Sequence, residues 1–293
     1  MEKVINNTKS ANNTEIPRRG NYKTYFKAFS ITFFVLLMLN LTSISLVSAA
    51  FDWTTNLSAY WSFDEGTGTI ATDLSNNSRN GILNNTGWTT GIIGSATSYN
   101  GINTYINVSK KVVYERTDAF SLSFWMNTSV GPGVLQTVFF AGSTGGSDTG
   151  WHVRLDGTDK LEFHMNGATN LFSVETTNAI GSNNKWKHVV IVYNGSSQAD
   201  QVLFYINNSV VATTGVGSVT SSLVSGSNKN VIGAKHEGLS IPFNGSLDEI
   251  ALFKRALNTS DITELYNSGA GLSFTKRIIV DLLTPADLIP EQN

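Results

Sequence analysis

The 293-residue chain has no cysteine, only five prolines and four histidines, and 14% charged residues that leave a formal charge of −2. Without cysteine there is no disulfide framework, no thiolate zinc site and no cysteine nucleophile. A chain of this length must then hold itself together by burying a sizeable core. Charge is scarce and nearly balanced, and no basic stripe is interleaved with aromatics, which argues against a nucleic-acid partner. There is no Gly-x-Ser-x-Gly elbow and no His-Glu-x-x-His. The glycine-rich stretch from Gly142 to Gly150 lacks a following Lys-Ser/Thr and any helix signal, so it is not a phosphate cradle. His152, His164, His188 and His236 are scattered, and His188, beside Val189 and Val190, reads as a packed residue.

What the chain does have is Gly, Ser, Thr and Asn in clusters that cut short runs rich in Thr, Val, Ile and aromatics. That texture describes an all-β protein with many turns. Residues 1–29 are polar and basic, and Ile31 to Leu39 is strongly apolar before Asn40, Thr42, Ser43 and Ser45 weaken the run. Val47-Ser48-Ala49 suits signal peptidase, so residues 1–50 read as a signal peptide or, on the rival reading, a signal anchor. Both place everything after Phe51 outside the cytoplasm, secreted or held at the cell surface, with the membrane touched only by this segment. Asn-x-Ser/Thr sequons at Asn56, Asn76, Asn84, Asn107, Asn127, Asn194, Asn207, Asn244 and Asn258 fit the same compartment as glycosylation sites.

Strands follow in order. Ser58 to Phe63 opens, and Asp64-Glu65-Gly66-Thr67-Gly68 turns. Ser95 to Tyr99 and Thr104 to Val108 read as a hairpin-like pair across Asn100-Gly101. In Ala119 to Met126, Phe120, Leu122, Phe124 and Met126 share one face, with Ser121, Ser123 and Trp125 on the other. Trp151 to Leu155 pairs with Lys160 to Met165, and Trp186 to Tyr193 is a buried strand. Gln201 to Ile206 and Val210 to Thr213 form a tight hairpin. The chain is organised around Phe243 to Tyr266, where a strand apolar on both faces becomes a short helix. Asn258 and Asp261 supply a capping box, Ile262 and Leu265 an apolar face, and Gly269 a stop. Asp248 is the odd acid in that strand, satisfied by backbone donors or holding a cation. Turns recur often enough for a two-sheet sandwich. Residues 272–293, with the apolar run Arg277 to Leu283, read as a tail or the start of a further module.

These residues carry a resemblance. From about Leu57 to Gly271 the chain resembles the LamG-like jellyroll domains of the concanavalin A-like lectin/glucanase superfamily. The opening Tyr60-Trp61-Ser62-Phe63-Asp64-Glu65-Gly66-Thr67-Gly68, Ser98-Tyr99-Asn100-Gly101, and the strand from Phe120 to Trp125 match its pattern in order. So do Trp186-Lys187-His188-Val189, Tyr193-Asn194-Gly195, Phe204-Tyr205-Ile206-Asn207, and Phe243 to Glu249 followed by Arg255-Ala256-Leu257. The resemblance implies an antiparallel jellyroll sandwich over residues 51–271 with a short C-terminal helix. It also implies a structural Ca²⁺ at the edge, held by Asp248, with a contribution near Asp64 and the carbonyl of Gly101.

Glycosidases of this fold place two carboxylates across a groove. Their Glu-x-Asp-x-x-Glu signature is absent, and Glu162 and Glu175 read as solvated strand residues without an acidic partner. Trp88, Trp151, Tyr114 and Phe243 are sugar-platform candidates by type only. The expected function is a non-catalytic recognition or adhesion module for glycan or protein at the cell surface. The alternatives are a structural spacer of a larger surface protein and, third, a glycosidase-related domain.

Overall fold

The computed structural model describes residues 56–143, 149–224, 228–236 and 240–274. The chain divides into two compact units, Met1–Phe51 and Asp52–Asn293, and every described residue belongs to the second. The signal or anchor segment and the run Arg277 to Leu283 lie outside the described residues.

Among the described residues there are seventeen strands and one α-helix. They are β1 (Leu57–Trp61), β2 (Ile70–Ala71), β3 (Gly81–Asn84), β4 (Gly87–Thr90), β5 (Ser95–Asn100) and β6 (Tyr105–Val108). Then come β7 (Phe120–Asn127), β8 (Gln136–Ser143), β9 (Gly150–Leu155), β10 (Leu161–Asn166), β11 (Leu171–Thr176) and β12 (Lys187–Tyr193). The last are β13 (Val202–Ile206), β14 (Ser209–Val211), β15 (Thr213–Gly217), β16 (Asn228–Ile232) and β17 (Asn244–Phe253), followed by α1 (Thr259–Tyr266). One antiparallel sheet runs β14-β13-β12-β7-β17-β5-β4, with β1 also paired to β17. The other runs β15-β11-β10-β9-β8-β16-β6-β3-β2. This is the expected two-sheet jellyroll.

The core follows from alternation. Phe120, Leu122, Phe124 and Met126 of β7 are all buried in the core between the sheets. Phe120 stacks on Tyr114 at 4.5 Å between ring centres and meets Trp151, Phe163 and Tyr193. On the other face of β7, Trp125 stacks on Tyr266 of α1 and meets the His188 ring at a tilt, so the helix covers that part of the sheet. Asn258 caps α1 reciprocally with Asp261. The helix stops at Asn267, which is left-handed, and Gly269 ends the 3₁₀ turn that follows. The packed domain continues past Gly271: Phe274 is buried, edge-on to Tyr60 at 4.5 Å.

Two expectations about local pairing resolve differently. Asn207 and Asn208 both take positive φ, as a two-residue hairpin turn between β13 and β14 demands. The segments around Asn100-Gly101, however, are not a hairpin. β5 pairs with β4 and β17, while β6 pairs with β3 and β16 in the opposite sheet. Asn100-Gly101 is therefore a corner that carries the chain from one sheet to the other. Asn100 builds it by accepting the N–H groups of Ile102 and Asn103.

Candidate functional site

β17 is long enough to serve two partners in succession. Its first half pairs with β5 (Asn244 to Leu247) and its second with β1 (Ile250 to Phe253). A bulge separates them. Between Asp248, opposite Trp125, and Ala251, opposite Ser123, β17 holds one more residue than β7 does. Glu249 takes a left-handed φ of 51° there. The bulge sends two acidic side chains into the gap between β5 and β1.

Asp248 grips the loop from Gly91 to Ser95. Its Oδ2 accepts the N–H groups of Ile92 (2.8 Å) and Ile93 (3.3 Å), and its Oδ1 accepts that of Glu249 (2.9 Å). Asp64, from the turn after β1, accepts the N–H of Ser95 at 3.1 Å. The two carboxylates thus hold one loop from either end. Its glycines record how closely they approach. A Cβ on Gly91 would lie 2.4 Å from Asp248 Oδ2, and one on Gly94 would lie 2.0 Å from Asp64 Oδ1. The Gly-x-x-Gly spacing in Gly91-Ile92-Ile93-Gly94 was the available sequence signal for this loop.

Beside them, the Tyr60 hydroxyl donates to Glu249 Oε2 at 2.5 Å, while Glu249 Oε1 is buried without a hydrogen-bond partner among the described residues. Burial raises the Asp248 carboxyl to about 7, against its three backbone donors and helped by Asp64. Burial, Asp248 and Asp64 together raise Glu249 to about 9, against the Tyr60 bond. The cluster is built for fewer negative charges than it has carboxyls, or for a cation among them.

The expected calcium ligands are only partly assembled. Asp64 and Asp248 do meet at one loop. Gly101 does not: its N–H pairs with Phe243 O, five residues before Asp248 on β17, or about 16 Å along a strand. The Asn100-Gly101 corner belongs to the far end of β5, which is why its carbonyl cannot contribute. No three carboxylate or histidine side chains gather as a metal cluster among the described residues. Asp248 Oδ2, Ser95 O and Ile93 O lie 2.4, 2.6 and 2.7 Å from the point a Gly91 Cβ would occupy. That crowding leaves room only for glycine at 91.

The outer face of the second sheet corrects two further expectations. Phe140, His152, His164 and Ser173 are register neighbours across β8, β9, β10 and β11. His152 and His164 stack at 4.7 Å with their planes within 2° of parallel, so these histidines are not scattered. Glu162 and Glu175 face each other directly across β10 and β11. Neither is a free solvated carboxylate: Arg154 Nε sits 2.6 Å from Glu162, and Lys160 Nζ 2.7 Å from Glu175. Burial would raise Glu162, but His164 and Arg154 outweigh it and hold the carboxyl at about 2. Strand pairing across β10 and β11 could not be read from spacing within one strand.

The remaining assignments place simply. Asn76, Asn194, Asn207 and Asn258 are exposed, and Asn56, Asn84, Asn107, Asn127 and Asn244 are half-buried. Trp151, Tyr114 and Phe243 are core residues. Trp88 is half-buried against the core, with its Nε1–H on Gly68 O.

Two antiparallel sheets, a bulged closing strand and a capped helix over Trp125 define a jellyroll β-sandwich. The chain belongs to the concanavalin A-like lectin/glucanases superfamily: a laminin G-type family model of that description matches residues 100–263, more than half of the chain. No curated protein matches it by sequence. Among solved structures, it is similar to the binding domain of Paraclostridial Mosquitocidal Protein 1 (19% identity, TM-score 0.57, 74% of this chain on 53% of that one). It is also similar to domain 4 of AbnA, a GH43 extracellular arabinanase from Geobacillus stearothermophilus solved with arabinotriose (20% identity, TM-score 0.54, 74% on 98%). A third is Trypanosoma rangeli sialidase in complex with sialic acid (18% identity, TM-score 0.52, 75% on 34%). The chain thus spans about half of the toxin binding domain, a third of the sialidase and nearly all of the arabinanase domain. At these identities the likeness shows the fold.

Proposed function

We propose that this chain is a non-catalytic recognition module, exported and displayed at the cell surface, whose favoured ligand class is glycan. The observation that carries the non-catalytic half is the state of its strand carboxylates. Asp64 and Asp248 clamp a loop, Glu249 is bonded to Tyr60, and Glu162 and Glu175 are each neutralised by a cation. Hydrolysis of a glycoside needs one carboxyl protonated near neutral pH and a second, ionised, across a substrate groove. The facing pair Glu162 and Glu175 is held by cations, and His164 and Arg154 keep Glu162 acidic. The glycan preference is supported by the whole-domain likeness to the arabinanase domain solved with a trisaccharide. A protein ligand, in the manner of the toxin binding domain, is the second reading. Export rests on the basic and apolar residues 1–50.

A glycan array probed with the full chain, together with a reducing-sugar assay on the polysaccharides that bind, tests both halves. Binding without product supports the proposal. Sugar release overturns the non-catalytic half. Silence across the array overturns the glycan half and leaves the spacer reading. We also propose that the edge where Asp248 and Asp64 both hold the Gly91 to Ser95 loop takes Ca²⁺, with Asp248 as the side-chain ligand and Asp64 adjacent. The ion would be structural.

A further inference from the structure

The outer face of the second sheet carries a buried layer that the proposed function does not use. Phe140, Val231 and Ala234 form an apolar cluster there, each no more than 1% exposed, with Tyr105 packed against it. His152 adjoins Phe140 in register and is itself 4% exposed. Its ring lies flat against that of His164, 4.7 Å away, and stands 6.3 Å from the Phe140 ring. His236, two residues past Ala234, meets Phe140 at 4.9 Å.

Polar groups buried this deeply are ordinarily tied by hydrogen bonds. These are not. His152 Nε2 is buried without a hydrogen-bond partner among the described residues. So is Asn166 Oδ1, two residues beyond His164 on the same face of β10. His164 Nε2 approaches Glu162 Oε2 at 3.3 Å, and that oxygen already holds Arg154 Nε at 2.6 Å. The described charged and titratable groups around His152 are therefore His164 and Glu162 on β10, Arg154 on β9, and Lys235 and His236 after β16. Of these only Glu162 is acidic, and it is committed to Arg154. A proton on His152 would join cations in a layer shielded from water. Burial keeps the His152 imidazole neutral, well below the ordinary histidine range, and His164, Lys235, Arg154 and His236 add to the effect.

We infer that the His152–His164 stack is a proton-operated latch: it holds the Phe140, Val231 and Ala234 layer closed while His152 is neutral, and a proton on His152 opens that layer and presents its apolar residues to solvent. The core between the sheets takes no part in the stack and stays folded, so the opening is local. The sign follows from linkage. The open layer binds a proton that the closed layer refuses, so closure is fully favoured above about 6.5 and loses ground as pH falls. Each pH unit below that value should raise the open fraction by up to about tenfold.

The chain has no cysteine, so Ala234→Cys gives the full chain a single thiol inside the closed layer. Its reaction rate with dithiodipyridine, a reagent that still works in acid, divided by the rate for the same chain unfolded in urea at the same pH, reads the open fraction. From about pH 6.5 to about pH 4.5 that fraction should rise roughly a hundredfold, with far-UV circular dichroism unchanged. Adding His152→Gln, or His152→Phe to keep a ring in the stack, should cut the rise to tenfold or less. Adding His188→Gln, whose imidazole is buried on the first sheet, should leave the rise as it was. A flat profile, or a rise that both His152 variants keep in full, would overturn the latch. So would a rise that His188→Gln abolishes or that coincides with loss of circular dichroism, because the whole domain would then be opening.

Discussion

Replacing Glu249 by glutamine should make the protein more stable, by a margin that grows as pH rises above about 5. Glu249 is 5% exposed at the bulge of β17, and its carboxyl is raised from 4.5 to about 9, chiefly by burial and then by Asp248 and Asp64. Between those values the folded state holds a proton that the unfolded chain has released. Stability is then fully present below about 4.5 and is lost as pH rises toward 9, where the folded state also ionises. Each pH unit in that window is worth at most about 1.4 kcal/mol, and the whole window about 6 kcal/mol. Asp248 shares the repulsion, so we expect Glu249 alone to account for about half, roughly 3 kcal/mol. Glutamine keeps the shape, cannot ionise, and its carbonyl still accepts the Tyr60 hydroxyl. Urea unfolding of wild type and Glu249→Gln in EDTA at pH 5, 7 and 9 isolates the term, because the histidines and other acids are common to both. The two should coincide near pH 5, and the variant should lead by about 3 kcal/mol at pH 9. A constant difference across the three pH values would refute the buried, proton-holding carboxyl.

Calcium should raise the Tm of wild type and not of Asp248→Ala, by the equivalent of about 2.7 kcal/mol at a hundredfold excess over Kd; no shift in wild type would leave Asp248 as a loop clamp alone. Gly94→Ala, at a φ of +52° with Asp64 Oδ1 2.0 Å from the new Cβ, should cost well over 1 kcal/mol in thermal or urea unfolding. Asn258→Ala removes the side-chain acceptor of the capping box, leaving Asp261 on the backbone N–H of residue 258, and should cost about 1 kcal/mol by the same measurement. His188 is lowered to about 3 by burial, so the unfolded chain binds the extra proton between 6.5 and 3, and stability falls as pH drops through that window. His188→Gln should flatten the acid limb of the urea profile.

Much of the fold was legible because local signals and tertiary packing agree. β7 alternates as a half-buried strand should, and Phe120 to Met126 lie in the core as written. Asn258 and Asp261 announce the helix, and the structure uses both. Errors fell where an element's partner is remote in sequence. Asn100-Gly101 has the residues of a hairpin turn, but Phe243 and Asn244 claim β5 for the other sheet. A turn motif fixes local φ and ψ; it does not fix which strand lies alongside.

The site shows the same division. Asp248 stands out in the sequence as an acid in a buried strand. Its role depends on a bulge and on a loop 155 residues away in the chain. The bulge residue is a glutamate at positive φ, a position that sequence reasoning reserves for glycine or asparagine. Glu162 and Glu175 show the converse. Each looks solitary along its own strand, and only the β10 to β11 register sets them side by side. Arg154 and Lys160 then sit beside the pair, and His164 and Arg154 hold the Glu162 carboxyl at about 2. Chemistry on this fold is therefore decided by which charges the register brings together. Here the register sets a cation beside each of the two facing acids on the sheet.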